Sequence, residues 1–574
     1  MRMRAGIVAT VSGVLLTSGC VATADVGKER PERPRVVQGD RIARAEPEQR
    51  APGRPERPSF VVVLMDDFSL DLLPAMRQAQ VMARAGASYE HAYVVDSLCC
   101  VSRSSLFTGQ YPHQTGVRTN TANTPNLVGP LGGFEAFEAY GNPQRSVNVQ
   151  LQQAGWTTGL IGKFLNEYYL GDGVELPPVP PGWSSWQPVF PDAYDGWDFH
   201  TMRTDADGDA VVEHVAAPPA EATRVEKDAA YAGTVIADRA VEFVRQNERR
   251  DSPYFLMVTP FGPHSRVRPE GHYPGDPGFP PAFADRPGPR TAGNCGPVAC
   301  GDLDASTLPG FADDQTDNAP VRADGSLAAQ WRPATVASPD PDVATSTLRQ
   351  RAQMVQSIDR MVARIRAAVG PDTFVVLTSD NGFHLGRYGL GQGKGSPFEA
   401  DVRVPLIITG PGVVPGARAE VVSNLDLAPT LERLAGLAPP AYRAGTSLVP
   451  TFDDPGRSRR DHTFFEHTWS KSLGPDPDAS FAGGSIDSIP SYVAVRSRRA
   501  LLVRFDLDPT WEGVDHAYEL YDYGSVGWER RNAYGDPRQQ SRVARLTELL
   551  DRFTACQEIT LDQPVPRRCR ELTR

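Results

Sequence analysis

The chain has 574 residues, with 59 Lys and Arg against 70 Asp and Glu and a formal charge of −11. Apolar residues make up 40% and charged residues 22%, a globular balance that excludes disordered, collagen-like and coiled-coil chains. The acidic excess excludes a general nucleic-acid binder, which needs a basic face to neutralise phosphates. This length has room for one large core and a smaller one, so two domains are expected. The 52 Gly and 52 Pro predict long, turn-rich loops.

Met1-Arg2-Met3-Arg4 is a positively charged start, and Ala5 to Leu16 is an apolar run. About 12 residues at ~1.5 Å each span ~18 Å, short of the ~30 Å hydrocarbon core. Residues 1–20 are therefore expected to be a signal peptide, not a spanning helix. The small residues before Cys20 resemble a bacterial lipobox, in which the cysteine becomes a lipidated N-terminus. Ordinary secretion is the alternative, because Thr17 stands where an aliphatic residue is usual. Residues 21–58 are polar and rich in Arg, Glu and Pro, and are expected to be a disordered tether.

From residue 59 the pattern alternates. Phe60 to Met65 is a continuous apolar run ending in Asp66-Asp67, as expected of a strand buried on both faces of a parallel sheet. Gly159 to Gly162, Tyr254 to Val258, Thr373 to Thr378 and Val404 to Ile408 are similar. Leu348, Val355, Ile358, Val362 and Ile365 recur at helical spacing, predicting a helix from about Ser346 to Val369. Another helix is expected from a cap at Asp426 through Leu434 to Gly436. Residues 264–333 form a Pro-, Gly- and Asp-rich insertion of the kind that makes lids or disordered loops. After about Asp461 the pattern changes. Tyr492 to Val495 and Ala500 to Phe505 read as a hairpin, and Val543 to Phe553 as a closing helix. The expected fold class is α/β: a doubly wound, mostly parallel sheet with helices on both faces over residues 59–455. A smaller C-terminal antiparallel α+β domain is expected over residues 456–574.

Export makes disulfides possible. Cys295 and Cys300 flank a Gly-Pro turn. Cys556 and Cys569 would close a short ring worth roughly 3 kcal/mol in the chain-entropy model. Sequence does not prove either pairing. The vicinal pair Cys99-Cys100 needs another explanation, since neighbouring cysteines rarely bond each other.

In open α/β sheets ligands bind beyond the carboxyl ends of the strands. Asp66-Asp67 follows one predicted strand and Asp380-Asn381 another. Together they would make an oxygen-rich pocket for a hard divalent cation. Each pair alone has an ordinary reading as turn or cap chemistry.

The sharpest motif is Cys99-Cys100-Val101-Ser102-Arg103, followed by Thr108-Gly109. It resembles the signature of the sulfatase family, a formylglycine-dependent branch of the alkaline phosphatase superfamily. Counting back from Arg103 makes Cys99 the convertible position. Asp66-Asp67, Gly162-Lys163, Pro263-His264, Asp380-Asn381-Gly382, Gly393-Lys394-Gly395, Phe398-Glu399 and Glu519-Leu520-Tyr521-Asp522 follow in family order. The resemblance runs from about Ser59 to Asp536. Lys163 to Tyr168 and Pro180-Pro181-Gly182-Trp183 look most like the N-acetylglucosamine-6-sulfatase and arylsulfatase branch.

The resemblance implies a hydrolase of sulfate monoesters, with carbohydrate sulfate favoured over aryl sulfate. It implies one divalent cation, Ca²⁺ ahead of Mg²⁺, held by Asp66, Asp67, residue 99, Asp380 and Asn381. It implies Cys99 converted to 3-oxoalanine (formylglycine) by a formylglycine-generating enzyme. The hydrated aldehyde would attack sulfur and later expel sulfate. Arg103 would hold that group, Lys163 and Lys394 would grip sulfate oxygens, and His264 would serve the leaving oxygen. Taken singly, these residues read as solvated lysines, a structural arginine ion pair and a loop histidine. Cys100 reads as a packing thiol, and His113 as a residue that stabilises the turn after the motif helix. Two positions depart from the pattern. Val101 stands where the family has Pro, a residue that helps the maturation enzyme recognise the site. Leu165 stands where many members carry His, whose role would be absent or fall to Asn166 or His384. A phosphate or phosphonate ester hydrolase of the same superfamily and a non-catalytic lipoprotein binding sulfated glycans are the alternatives. A membrane contact is expected only through a lipid anchor.

Overall fold

The run Phe60 to Leu64 alternates between two cores, and that alternation explains the architecture. Phe60, Val62 and Leu64 pack with Phe107, Leu151 and Trp156 on one face. Val61, Val63 and Met65 pack with Ile236, Ala240, Val355 and Ile358 on the other. Burying each such side chain stabilises the fold by roughly 1.5–3 kcal/mol, so a strand without a polar face is held in the middle of a covered sheet.

The computed structural model describes residues 55–122, 129–170, 176–204, 209–250, 252–332, 340–468, 489–508, 514–524 and 528–573. Cys20, the signal segment and nearly all of the tether lie outside them. The strands of the central sheet are β1 (Ser59–Met65), β2 (Ala87–Tyr93), β3 (Thr157–Gly162) and β4 (Ser185–Pro188). After the side hairpin β5 (Phe199–Thr204) and β6 (Ala210–Val215) come β7 (Tyr254–Thr259) and β8 (Thr373–Ser379). The short pair β9 (His384–Leu385) and β10 (Gln392–Gly393) precedes β11 (Leu406–Thr409) and β12 (Gly416–Ser423). The sheet order is β12-β2-β11-β8-β1-β7-β3-β4. Among the described residues only β11 runs against the rest, antiparallel to both β2 and β8. The sequence reading had grouped this run with the parallel strands. The chain leaves β8 at its carboxyl edge, builds residues 380–405 there, and re-enters from the same edge. No crossover returns it to the far edge, so antiparallel pairing is the available one.

The edge strand β12 and its neighbour β2 were not legible as apolar runs. Their sequences, ASYEHAY and GARAEVVS, carry polar residues because part of each strand faces solvent. The long helix is Pro341–Ala368, starting before Ser346 because Asp340 caps it by accepting the N–H of Asp342, with Pro341 at the first position. The helix Leu427–Leu434 follows Asp426, but that carboxylate does not cap it. It accepts the N–H groups of Ser423 and Thr446 and pairs with Arg460.

Residues 264–332 pack as an ordered layer on the long helix. Cys295 bonds Cys300, Asp285 pairs with Arg360, and Arg349 donates to the Leu303 carbonyl. The second disulfide joins Cys556 to Cys569. A four-stranded antiparallel sheet, β13 (His462–His467), β14 (Tyr492–Ser497), β15 (Ala500–Asp506) and β16 (His516–Asp522), follows in sequential order. Helix Gln540–Thr554 covers it with Leu546, Leu550 and Phe553. No helix among the described residues is long and apolar enough to cross a membrane.

Glu529 is buried beside this sheet. Its Oε1 accepts the Glu399 N–H at 2.7 Å and the Tyr523 hydroxyl. Burial, with the Glu399 charge, pushes its carboxyl up to about 7. The folded chain then keeps a proton that the unfolded chain releases above about 4.5, the ordinary glutamate value. This group's contribution to stability should therefore fall as pH rises from about 4.5 to about 7. Glu529→Gln should gain thermal stability relative to wild type when melting is measured above that window rather than at its lower end. An equal difference at both pH values would show that Glu529 does not titrate there.

Candidate active site

The carboxyl ends of four parallel strands deliver the site. β1 ends in Asp66-Asp67, β8 in Asp380-Asn381, β3 in Lys163, and β7 leads to Pro263-His264. The pairing Met65↔Ser379 brings the first two together. Asp380 N–H donates to the Met65 carbonyl at 3.0 Å, and Asp67 N–H to Asp380 Oδ1 at 3.1 Å. Asp67 sits in the left-handed region at φ 60°, a strain of order 1 kcal/mol that the surrounding bonds hold in place.

Cys99 reaches this edge from another direction. It is the first residue of helix Cys99–Thr108, after β2, and is 1% exposed. It is thus the buried N-terminus of a helix at the strand-end face. Cys100 is buried in the apolar core, and its N–H donates to Asn120. Neither takes part in a disulfide.

The charged groups interlock. Lys394 Nζ lies 2.5 Å from Asp67 Oδ1 and 2.6 Å from Cys99 Sγ. Lys163 Nζ lies 2.7 Å from Asp66 Oδ2. Arg103 donates Nε to Asp380 Oδ2 at 2.8 Å and Nη1 to the Lys163 carbonyl at 2.9 Å. His264 Nε2 is 3.5 Å from Asp67 Oδ2, while Nδ1–H donates to the Ser265 carbonyl. The Tyr194 ring lies 4.4 Å from the His264 ring and 5.2 Å from Lys163 Nζ.

Burial would raise the carboxyls, but the opposing charges win. Lys163, His264 and Arg103 hold Asp66 below the ordinary range, and Lys394 and His264 do so for Asp67. Burial would lower the ammonium groups, yet Asp66 raises Lys163 and Asp67 raises Lys394. Burial outweighs the neighbouring carboxylates at His264 and lowers it. Burial also pushes the Cys99 thiol up to about 12 despite the two lysines.

The oxygen donors of the site fit a hard cation. Ligand atoms of Asp66, Asp67, Cys99 and His264 lie within 4.8 Å of one another. Asp66 Oδ1 and Asn381 Oδ1 are buried without hydrogen-bond partners, as oxygens meant for a ligand would be. Asp380, expected among the metal residues, here spends Oδ2 on Arg103 and Oδ1 on the N–H groups of Asp67 and Asn381. The geometry adds His264 to the cluster, which the sequence reading had kept for proton transfer. Arg103 pairs with Asp380 and still has a buried Nη2 without a partner.

Other candidates sit elsewhere. His384 Nδ1 meets Asp401 at 2.9 Å beneath the Lys394 loop, and its Nε2 is buried and unpartnered. The Asn166 carbonyl accepts from Phe134, and its Oδ1 is buried without a hydrogen-bond partner. His113 bonds Glu466 through both ring and backbone, holding its turn against β13. Sequence reasoning missed Tyr194 and Arg351. A signal for Arg351 was present: a cation on the stripe of Leu348, Val355 and Ile358.

The sulfatase family model matches residues 58–437, and the chain belongs to the sulfatase family. A second model, N-sulphoglucosamine sulphohydrolase, C-terminal, matches residues 392–555. The extracellular sulfatase SULF-1 homolog of Drosophila melanogaster is 29% identical over 423 residues, which is 71% of this chain and 32% of that protein. Human N-acetylglucosamine-6-sulfatase is 26% identical over 408 residues, which is 69% of this chain and 64% of that one. The chain thus spans less than two thirds of either relative. In shape it is similar to a solved complex with the substrate D-glucosamine-2-N,6-O-disulfate, with a TM-score of 0.59, 19% identity, and coverage of 89% of this chain and 100% of that one. It is also similar to the phosphonate monoester hydrolase of Silicibacter pomeroyi, with a TM-score of 0.56, 20% identity, and coverage of 86% and 95%.

If Asp66, Asp67 and Asn381 hold a divalent ion, chelation should lower the melting temperature and Ca²⁺ should restore it, because the ion offsets carboxylate repulsion in the folded state. Elemental analysis of active protein showing no stoichiometric divalent ion would refute the site.

Proposed function

We propose that this protein hydrolyses sulfate monoesters of a glycan, with residue 99 in its formylglycine form. The observation that carries the reading is the convergence of Cys99, Lys394 and Asp67 within hydrogen-bond distance in a buried cluster. The signature cysteine could have lain anywhere on the surface. It lies beside the ammonium group that would receive an anion.

The charges make the chemical case. Asp66, Asp67 and Asp380 are balanced by Lys163, Lys394 and Arg103, so the residues alone have little excess charge to draw an anionic ester. When bound, a divalent cation supplies that excess and Lewis-acid polarisation, and formylglycine supplies an oxygen nucleophile. The chain's own residues do the rest. Lys163 and Lys394 lie where they can turn from carboxylate to sulfate oxygens. Arg103, fixed by Asp380 and two carbonyls, keeps one donor nitrogen for residue 99 or the ester. His264 is oriented by Ser265. With Nδ1–H committed there, Nε2 donates a proton to the leaving oxygen only as imidazolium, which Asp66 and Asp67 favour and burial opposes.

The carbohydrate substrate is inferred from the human relative and the disulfated glucosamine complex. Export is inferred from residues 1–20 and from the extracellular relative. Lipidation of Cys20 would tether the enzyme outside the membrane, and Cys20→Ser should then move activity from the membrane to the soluble fraction without changing turnover. Wild-type protein found only in the medium with a mature N-terminus beyond Cys20 would replace that reading with simple secretion.

Peptide mass spectrometry across Leu98 to Arg103, on protein from its native host, should show formylglycine at residue 99. Cys99→Ala should lose on the order of a thousandfold or more in turnover of an aryl sulfate, as removal of a nucleophile does, while Cys100→Ala keeps substantial activity. Unmodified Cys99 would refute the mechanism. Faster turnover of an aryl phosphonate than of the sulfate would favour the phosphonate hydrolase reading.

A further inference from the structure

Arg351 is 1% exposed in the long helix, yet no carboxylate lies within ion-pair distance of it among the described residues. A buried guanidinium without a counter-charge is costly unless its donors are used. Here all three nitrogens donate. Nη2 bonds the Asp67 carbonyl, Nη1 the Ser69 hydroxyl at 3.3 Å, and Nε the Pro263 carbonyl at 3.4 Å. The guanidinium also lies 4.2 Å from the Phe383 ring and 5.7 Å from the Phe279 ring. One side chain therefore touches the turn after β1, the peptide entering His264, the segment after Asp380-Asn381, and the insertion layer.

We propose that Arg351 is a positioning residue that aims the Asp67 carboxylate and the His264 ring at their shared site. It touches neither substrate nor the reacting atoms. The two carbonyls it holds decide where those side chains point. Asp67 has a left-handed backbone, and the direction of its carbonyl fixes that conformation. Its carboxylate then reaches Asn381 and Lys394 with one oxygen and His264 with the other. The Pro263 carbonyl belongs to the peptide that leads into His264. A planar fork of donors holds both segments at once; a lysine ammonium in the same space is a single point that does not span them. The aromatic rings hold the fork in its plane.

This inference rests on the metal reading of Asp67, and the test separates the two. Full-length protein is freed of divalent ions and titrated with Ca²⁺, and in parallel with Mg²⁺, by calorimetry. Melting temperature, kcat and KM for an aryl sulfate are measured on the same samples. Arg351→Met should weaken ion binding about 10- to 100-fold, as loss of a residue supporting a metal ligand does, and should lower kcat more than it raises KM. Arg351→Lys should recover only part of both. Arg349→Ala, on the same helix, releases the Gly301 and Leu303 carbonyls of the insertion layer and should lower the melting temperature while leaving ion affinity unchanged. Wild-type ion affinity and kcat in Arg351→Met would overturn the proposal. If that variant does not fold, wild-type affinity in Arg351→Lys would overturn it instead. Failure of the wild type to bind either ion would overturn the metal reading itself, and this proposal with it.

Discussion

Placing three carboxylates and three cations in one buried site is the constraint on which the rest of the structure depends. Each charge is nearly fully desolvated, and none could remain so alone. The pairs Lys163–Asp66, Lys394–Asp67 and Arg103–Asp380 must therefore form together. That demands registry between elements far apart in sequence. β1 and β8 meet it by pairing from Ser59↔Thr373 to Met65↔Ser379, so their polar ends emerge side by side. Ser379 Oγ, which accepts the Phe68 N–H and lies 2.8 Å from the Asn381 carbonyl and 3.1 Å from the Met65 carbonyl, secures the joint.

The smaller sheet takes part in the same constraint. Lys394 lies on a loop, and a loop lysine would ordinarily be solvated and mobile. Here Gly395 N–H donates to Ser97 Oγ, and the Tyr492 hydroxyl of β14 donates to the Gly395 carbonyl. Asp401 accepts from Ser396 and faces His384. Glu399 pairs with Arg496 of β14 and with Arg403. The C-terminal sheet thus serves as the back wall that fixes a lysine of the site, which explains why the two sheets share apolar core residues, with Tyr492, Ala494 and Phe505 packed in the same cluster as Phe398.

Much of this was legible in the sequence, for identifiable reasons. Buried parallel strands announce themselves as unbroken apolar runs, and strand-end polar pairs follow directly from them. The hairpin of β14 and β15 was visible for the same reason. The resemblance to the sulfatase family singled out Lys163, His264 and Lys394 as candidates, which no periodicity would have raised above solvated side chains. The missed parts share a cause. β12 at the sheet edge and β2 beside it carry polar residues that erase the run, and β11 reverses direction because of where the chain stands when it enters. The partners of Asp380 were equally hidden: Arg103 on Oδ2 and the N–H groups of Asp67 and Asn381 on Oδ1 are contacts that only folding brings near.

Arg351 shows the limit most clearly. A charge on an apolar helical stripe is a visible anomaly, but its meaning depends on what faces the stripe. The facing groups are carbonyl oxygens of Asp67 and Pro263, which carry no residue-specific mark in sequence. Side chains that act on backbone are therefore hidden from motif reading even when the residues they position are not. A buried cation whose donors all end on the main chain beside functional residues has lost its hydration and gained no ion pair. What it gains is the fixed direction of the peptides it holds, and in this fold those peptides carry Asp67 and His264.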